Sequence, residues 1–237
     1  MRLDKYICDN TSLTRSLATK AIKSGRIKVN GIKPKSGALK ILPDSDQVVF
    51  DGHLIEAQPS TRYYMMNKPQ GYVCANSDGE HPLVFDLMDK EINISRLHTV
   101  GRLDKDTTGL LLITDDGQWS HQITSPNHHQ AKTYRAWLAE PLIEDAELKI
   151  EAGIVLKDDI KPTLPATMQR VSDTEVLLTI SEGRYHQVKR MFAALGNRVI
   201  RLHRESIGQV TLDPLLAPRN YRMLTLDEVQ SLSKTQE

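Results

Sequence analysis

Gly101-Arg102-Leu103-Asp104-Lys105-Asp106-Thr107-Thr108-Gly109 runs directly into Leu110-Leu111-Leu112-Ile113. A polar loop crowded with Gly, Thr, Arg and Asp that meets an unbroken apolar run reads as the start of a fully buried strand, where a sheet presents side chains to a site. Asp104 is then held by a loop pinned to that strand, with Arg102 two residues away. Taken alone, the stretch also fits a turn with a surface salt bridge. Asp104 and Asp106 do not make the paired carboxylates of a glycosidase, because neighbours on one segment rarely flank a sugar ring from opposite sides. Asp115-Asp116-Gly117, just past the apolar run, reads as a turn and nothing more.

Working outward, strands are predicted over 62–66, 110–114, 133–139, 175–180 and 198–203, with helices over 143–152 and 185–195. In the last of these, Val188, Met191, Phe192 and Leu195 fall at i, i+3, i+4 and i+7, and Gly196 supplies a stop. Without a regular βαβ alternation, the fold class is α+β, a mixed or antiparallel sheet flanked by helices. Glu182-Gly183-Arg184-Tyr185-His186-Gln187-Val188-Lys189-Arg190 lies where strand turns into helix, so free N–H groups and several cations make an anion site. Its anion is either a phosphate or the carboxylate of Asp104. Asn67-Lys68-Pro69-Gln70-Gly71 has the composition of a tight turn, and Lys132-Thr133-Tyr134 puts an aromatic on a strand, where a core tyrosine is the commoner meaning.

The 237 residues suffice for one or two domains, and the balance of 26% charged and 39% hydrophobic residues is globular. No apolar run approaches the roughly 20 residues that cross a bilayer, and Met1-Arg2-Leu3-Asp4-Lys5 lacks a signal-peptide stretch, so a cytoplasmic protein is expected. Cys8 and Cys74 are too few for a disulfide framework and lack Cys-x-x-Cys spacing. His121, His128 and His129 have no partners at metal-ligand spacing and read as loop or RNA-facing residues. No Walker A loop or Rossmann glycine fingerprint is present.

The net charge of +1 hides its distribution. Residues 1–40 hold ten Lys or Arg against Asp4 and Asp9; residues 180–208 hold six against Glu182 and Glu205. Two basic clusters on a nearly neutral chain are the footprint of a polyanion partner. The first belongs to a small α+β module. A helix over 12–24, with Leu13, Leu17, Ala18, Ala21 and Ile22 on one stripe, is capped by Thr11 or Ser12 and stopped by Gly25. Asn30-Gly31 then signals a hairpin, and Gln58-Pro59-Ser60-Thr61 breaks the pattern. Expected domains are therefore 1–59 and 60–237, joined by a linker at about 57–61, with the last six residues frayed.

Residues 2–6 with Arg15 to Gly31 resemble the S4 RNA-binding module. Asn67-Lys68-Pro69-x-Gly71, Gly101-Arg102-Leu103-Asp104-x-x-Thr107-Thr108-Gly109-Leu110, Lys132-x-Tyr134 and Gly183-x-x-His186-Gln187-Val188-Lys189-Arg190-Met191 resemble the pseudouridine synthases, in the order found in the branch that carries an S4 module. Asp115 to His121 and Ile180 to His186 are similar to stretches of the members acting on 16S rRNA. The resemblance implies isomerisation of one uridine to pseudouridine in small-subunit ribosomal RNA, by a reaction that needs no cofactor and no metal. It implies ribosomal RNA or the assembling subunit as partner; a monomer is the default expectation, and the lack of a spanning apolar run leaves no membrane partner expected. Sister enzymes acting on 23S rRNA share these residues, and a non-catalytic S4-type assembly protein could carry the fold.

The same resemblance assigns roles. Asp104 matches the essential aspartate, which attacks the sugar, attacks the base or removes a sugar proton. Lys189, where some sister enzymes have Arg, matches its cationic partner. Tyr134 matches the ring that packs on the uracil and helps remove the C5 proton. Arg102 matches the side chain that fills the gap left by the flipped base, and Thr107, Thr108, His186, Gln187, Arg190 and Lys68 are matched to RNA contact and base flipping. Arg2, Lys5, Arg15, Lys20, Lys23, Arg26 and Lys28 are the expected RNA contacts of the S4-like module.

Overall fold

The computed structural model describes residues 1–57, 61–125 and 130–233. The centre of the expected linker, His128, His129 and the end of the tail lie outside the described residues. The chain divides into two compact units, Met1–Ser60 with Asp89–Arg96 and Thr61–Met88 with Leu97–Glu237.

The first unit contains α1 (Leu3–Asn10), α2 (Arg15–Lys23), β1 (Ile27–Val29), β2 (Val48–Phe50) and β3 (His53–Leu54), the strands pairing in that order. Leu3, Ile7, Ala18, Ile22, Ile27 and Val48 lie in its core. The helix begins later than its sequence stripe predicts. Thr14 caps it, accepting from Leu17 N, because Thr11 is engaged at the end of α1, donating to Ile7 O at 2.7 Å. Leu17 is consequently turned outward and is 47% exposed. Asn30-Gly31 makes the expected tight turn, with φ of 49° and 80°. The hairpin ends there, since Lys33-Pro34 follows and proline cannot donate to a ladder; β1 pairs instead with β2. Asn93 returns to this unit, donating from its side chain to Cys8 O at 2.8 Å. Nothing in the reading of the sequence marked Asp89–Arg96 as part of it.

The second unit is built on β4 (Tyr63–Lys68), β5 (His98–Val100), β6 (Thr108–Thr114), β7 (Lys132–Leu138), β8 (Thr167–Ser172), β9 (Glu175–Ile180), β10 (Val199–Ile207), β11 (Val210–Thr211) and β12 (Tyr221–Met223). Among the described residues these form one sheet in the order β12-β4-β6-β10-β7-β9-β8, with β5 on β6 and β11 on β10. It is mixed: β6 and β10 run parallel, and the other pairs are antiparallel. Leu110 to Ile113 are fully buried, as their unbroken apolar run requires.

Its helices are α3 (Gly117–Thr124), α4 (Ala146–Ala152), α5 (Gln187–Ala194) and α6 (Leu226–Ser233). Asp115-Asp116-Gly117 is more than a turn. Asp116 Oδ1 accepts from Gln118 N and Trp119 N at 3.0 Å each, which caps α3. Asp115 forms a buried ion pair with Arg62 at 2.8 Å. The tail also differs from expectation: Leu232 of α6 packs into the core with Trp119 and Ile123 and is 1% exposed. Among the described residues no helix is long and apolar enough to cross a membrane.

Candidate active site

The loop between β5 and β6 is fixed from beneath by Lys68. Its side chain is 0% exposed, and its ammonium lies 2.8–3.3 Å from the carbonyl oxygens of Pro69, Asp104, Lys105 and Thr107. Burial lowers its pKa, and four inward carbonyls satisfy its charge. Lys68, matched above to RNA contact, clamps the loop here, its ammonium enclosed by these carbonyls. Gly71 N adds a bond to Lys105 O at 2.8 Å, and Thr107 N closes the loop on Asp104 O at 3.1 Å.

That anchoring presents the Asp104 carboxylate to α5. Asp104 Oδ2 lies 3.0 Å from Lys189 Nζ, and Oδ1 lies 3.4 Å from His186 Nε2. Lys189 also reaches Asp106 at 2.6 Å. Burial works to lower the Lys189 ammonium, but hydrogen bonds to Asp106 and Asp104 outweigh it and hold its pKa above the ordinary lysine value. His186 owes its place to a left-handed backbone, φ 48°, at the start of α5. Of the two anions open for this basic segment, the Asp104 carboxylate lies within reach of it.

Asp104, His186 and Lys189 stand on a cleft of about 390 Å³ whose lining also includes Arg102, Thr107, Lys132, Tyr134 and Arg204. Its size falls within the range of small-molecule pockets. The carboxylate is 29% exposed and beside the Lys189 amine, in the same cleft as the Tyr134 ring. Arg102 is exposed. Arg204 is opposite Tyr134 across the β7–β10 pairing and is 2% exposed. Its Nε donates to Leu110 O at 2.7 Å, and its Nη1 approaches the Tyr134 hydroxyl at 3.5 Å. Gly109 makes this approach possible. At φ +103°, a Cβ there would lie 2.3 Å from Arg204 O.

Several residues matched to RNA contact are occupied otherwise. Thr108 turns away from the cleft, its hydroxyl 2.8 Å from His203 Nδ1. Gln187 is buried; it accepts from Arg184 N and donates to Glu182 Oε1, each at 2.8 Å. Arg190 donates to Asp159 at 2.6 Å and to Lys157 O. Thr107 does line the cleft, and its buried hydroxyl has no partner among the described residues.

In the first unit, Arg2 is held by Asp4 and Arg26 by Asp51. Lys5, Arg15, Lys20, Lys23 and Lys28 are exposed. The sequence reading missed Arg204 and gave Lys132 no role. The available signal was alternation: along β10, Arg204 falls on the buried face with Leu202, where an apolar residue belongs. No three His, Cys, Asp or Glu side chains among the described residues converge to hold a metal.

Residues 62–194 match the RNA pseudouridylate synthase family, and residues 1–46 match the S4 domain. The chain is 54% identical over 234 residues to the ribosomal small subunit pseudouridine synthase A of Vibrio cholerae, covering 99% of this chain and 100% of that protein. It is 49% identical to the protein of the same name from Escherichia coli K12, covering 98% of this chain and 100% of the relative. A solved structure described as a pseudouridylate synthase superposes with a TM-score of 0.71 at 50% identity, over 98% of this chain and 99% of that one.

Proposed function

The chain belongs to the RNA pseudouridylate synthase family, and on that premise we propose that it converts one uridine of small-subunit ribosomal RNA to pseudouridine with Asp104 as the essential carboxylate. The N1–C1′ bond of the uridine breaks, the uracil turns, and C5 joins C1′. The product is an isomer of the substrate, so the reaction requires neither net redox change nor an energy donor.

One observation carries the assignment of the site: Asp104 sits 3.0 Å from Lys189 in a cleft shared with Tyr134. A carboxylate removed from bulk water needs a counter-charge to act as an anion, and Lys189 supplies it. Tyr134 offers an aromatic face to a flipped uracil, and exposed Arg102 is available to fill the place the base vacates. The ribosomal small subunit named for the relatives supports a location in the bacterial cytoplasm.

Every uridine presents the same base, so selection rests on RNA shape beyond the cleft. The S4 domain supports that reading, offering exposed cations on a separate unit. The test is release of the C5 hydrogen from labelled 16S rRNA. Asp104→Asn binds the RNA as wild type does and gives no release; turnover near wild type removes Asp104 from its role. Mapping the modified nucleotide in cells lacking the protein tests the choice of RNA.

A further inference from the structure

Two cations in the lining of the cleft, Lys132 and Arg204, have no carboxylate partner among the described residues. Arg204 is 2% exposed, and its Nη2 has no hydrogen-bond partner among the described residues. Lys132, two residues from Tyr134 on β7, donates from its ammonium to Gln130 O at 2.9 Å. The charge acting on Lys132 is that of Arg204, which repels it. The two acids in the lining are already used: Asp104 is paired with Lys189 and His186, and Glu182 with Arg184 and Gln187.

Holding a buried and a half-buried like charge side by side without a counter-ion is unfavourable, so the arrangement calls for an anion that arrives with the substrate. A flipped nucleotide puts its base into the pocket and leaves its phosphates at the mouth. The anion that meets these two cations is then the base itself. When N1–C1′ breaks, the bonding pair leaves with the uracil, whose negative charge spreads over N1, O2 and O4. C5 then supplies a pair to C1′, C5 loses its proton and N1 gains one, so atoms and electrons balance.

Resting on the proposed uridine isomerisation, we infer that Lys132 and Arg204 stabilise the detached uracil anion, Lys132 by donating to a carbonyl oxygen of the base and Arg204 by its charge behind it. Donors fixed in advance around a site of developing charge, away from water, lower the barrier without reorganising. Lys132 is a catalytic residue in this scheme. Arg204 is a positioning residue, which acts through Lys132 and the Tyr134 hydroxyl.

The experiment compares Lys132→Met, Arg204→Met and Arg204→Lys with wild type in the full chain. Single-turnover conversion is followed on a 16S rRNA fragment carrying uridine, and on one carrying 5-fluorouridine. Fluorine makes the departing base a weaker base that needs less help with its charge. Consumption of the nucleoside is read by chromatography after digestion, and RNA affinity by filter binding.

Lys132→Met should slow uridine conversion on the order of 10²–10³-fold, the effect of removing one such donor, at unchanged RNA affinity. The deficit should shrink at least tenfold with 5-fluorouridine. Arg204→Met should behave likewise, and Arg204→Lys should recover at least a tenth of the wild-type rate. Equal deficits on the two bases, or a deficit explained by lost affinity, overturn the inference. If Arg204→Met does not fold, Lys132→Met and Arg204→Lys decide it. A wild-type protein that converts no uridine defeats the proposed function, whereas active wild type with active variants defeats this inference alone.

Discussion

The backbone of Arg204 occupies the space that a side chain on Gly109 would need: a Cβ there would stand 2.3 Å from Arg204 O and 2.8 Å from Arg204 N. The parallel contact of β6 with β10 depends on that gap, since His203 and Arg204 pair with Thr108 and Gly109. Gly109→Ala forces both a backbone collision and a side chain at φ +103°. The expected loss is about 3–5 kcal/mol, combining overpacking with left-handed strain. Urea unfolding measures it, and a variant as stable as wild type refutes the close approach.

Lys189 joins Asp104 and Asp106. Replacing it with Met leaves Asp104 without its nearest cation, and turnover should fall on the order of 10²-fold or more, with RNA affinity within a few-fold of wild type. Lys189→Arg keeps the charge and should recover part of the rate. Single-turnover kinetics beside a binding titration separate the two effects.

Lys132 predicts a stability effect of opposite sign to its catalytic one. Burial, reinforced by Arg204, pushes its ammonium down to about 8 from 10.5. Between those values the folded chain has released a proton that the unfolded chain still holds, so this group's contribution to stability rises with pH. Below about 8 the folded state bears the whole cost of a half-buried charge. Lys132→Met removes that cost, so its Tm at pH 7 should exceed wild type by about 2–6 °C, and the gap should close towards pH 10.5. Scanning calorimetry of RNA-free protein at both pH values is the check.

The exposed cations of the first unit should set the salt dependence of binding. Lys20→Gln and Lys23→Gln on α2 should each reduce the slope of log K against log salt by about 0.7–0.9. Arg26→Gln should change it less, because Arg26 is already neutralised by Asp51. Binding titrations across a salt series report the slopes, and equal slopes for all three variants argue against phosphate contacts on α2.

What was legible in the sequence was local. Val188, Met191, Phe192 and Leu195 announced α5 by spacing, and Leu110 to Ile113 announced a buried strand by an unbroken apolar run. Asp104 stood out through the loop that precedes that strand, and Lys189 through its motif. Illegible features depend on partners distant in the chain. Lys68 looked available to RNA until carbonyls 36–39 residues later enclosed it. Arg190 looked basic and free, yet Asp159 neutralises it from 31 residues earlier. The short α3 is not legible in the sequence, because an Asx residue such as Asp116 serves equally as a turn and as a helix cap.

The enclosure of Lys68 gives the catalytic loop a built-in reporter. An ammonium whose three N–H bonds are directed at four carbonyl oxygens, with no free lone pair and no surface of its own, is closed to acylating reagents. Its labelling rate, followed by mass spectrometry, would count the moments at which the segment carrying Asp104 lets go.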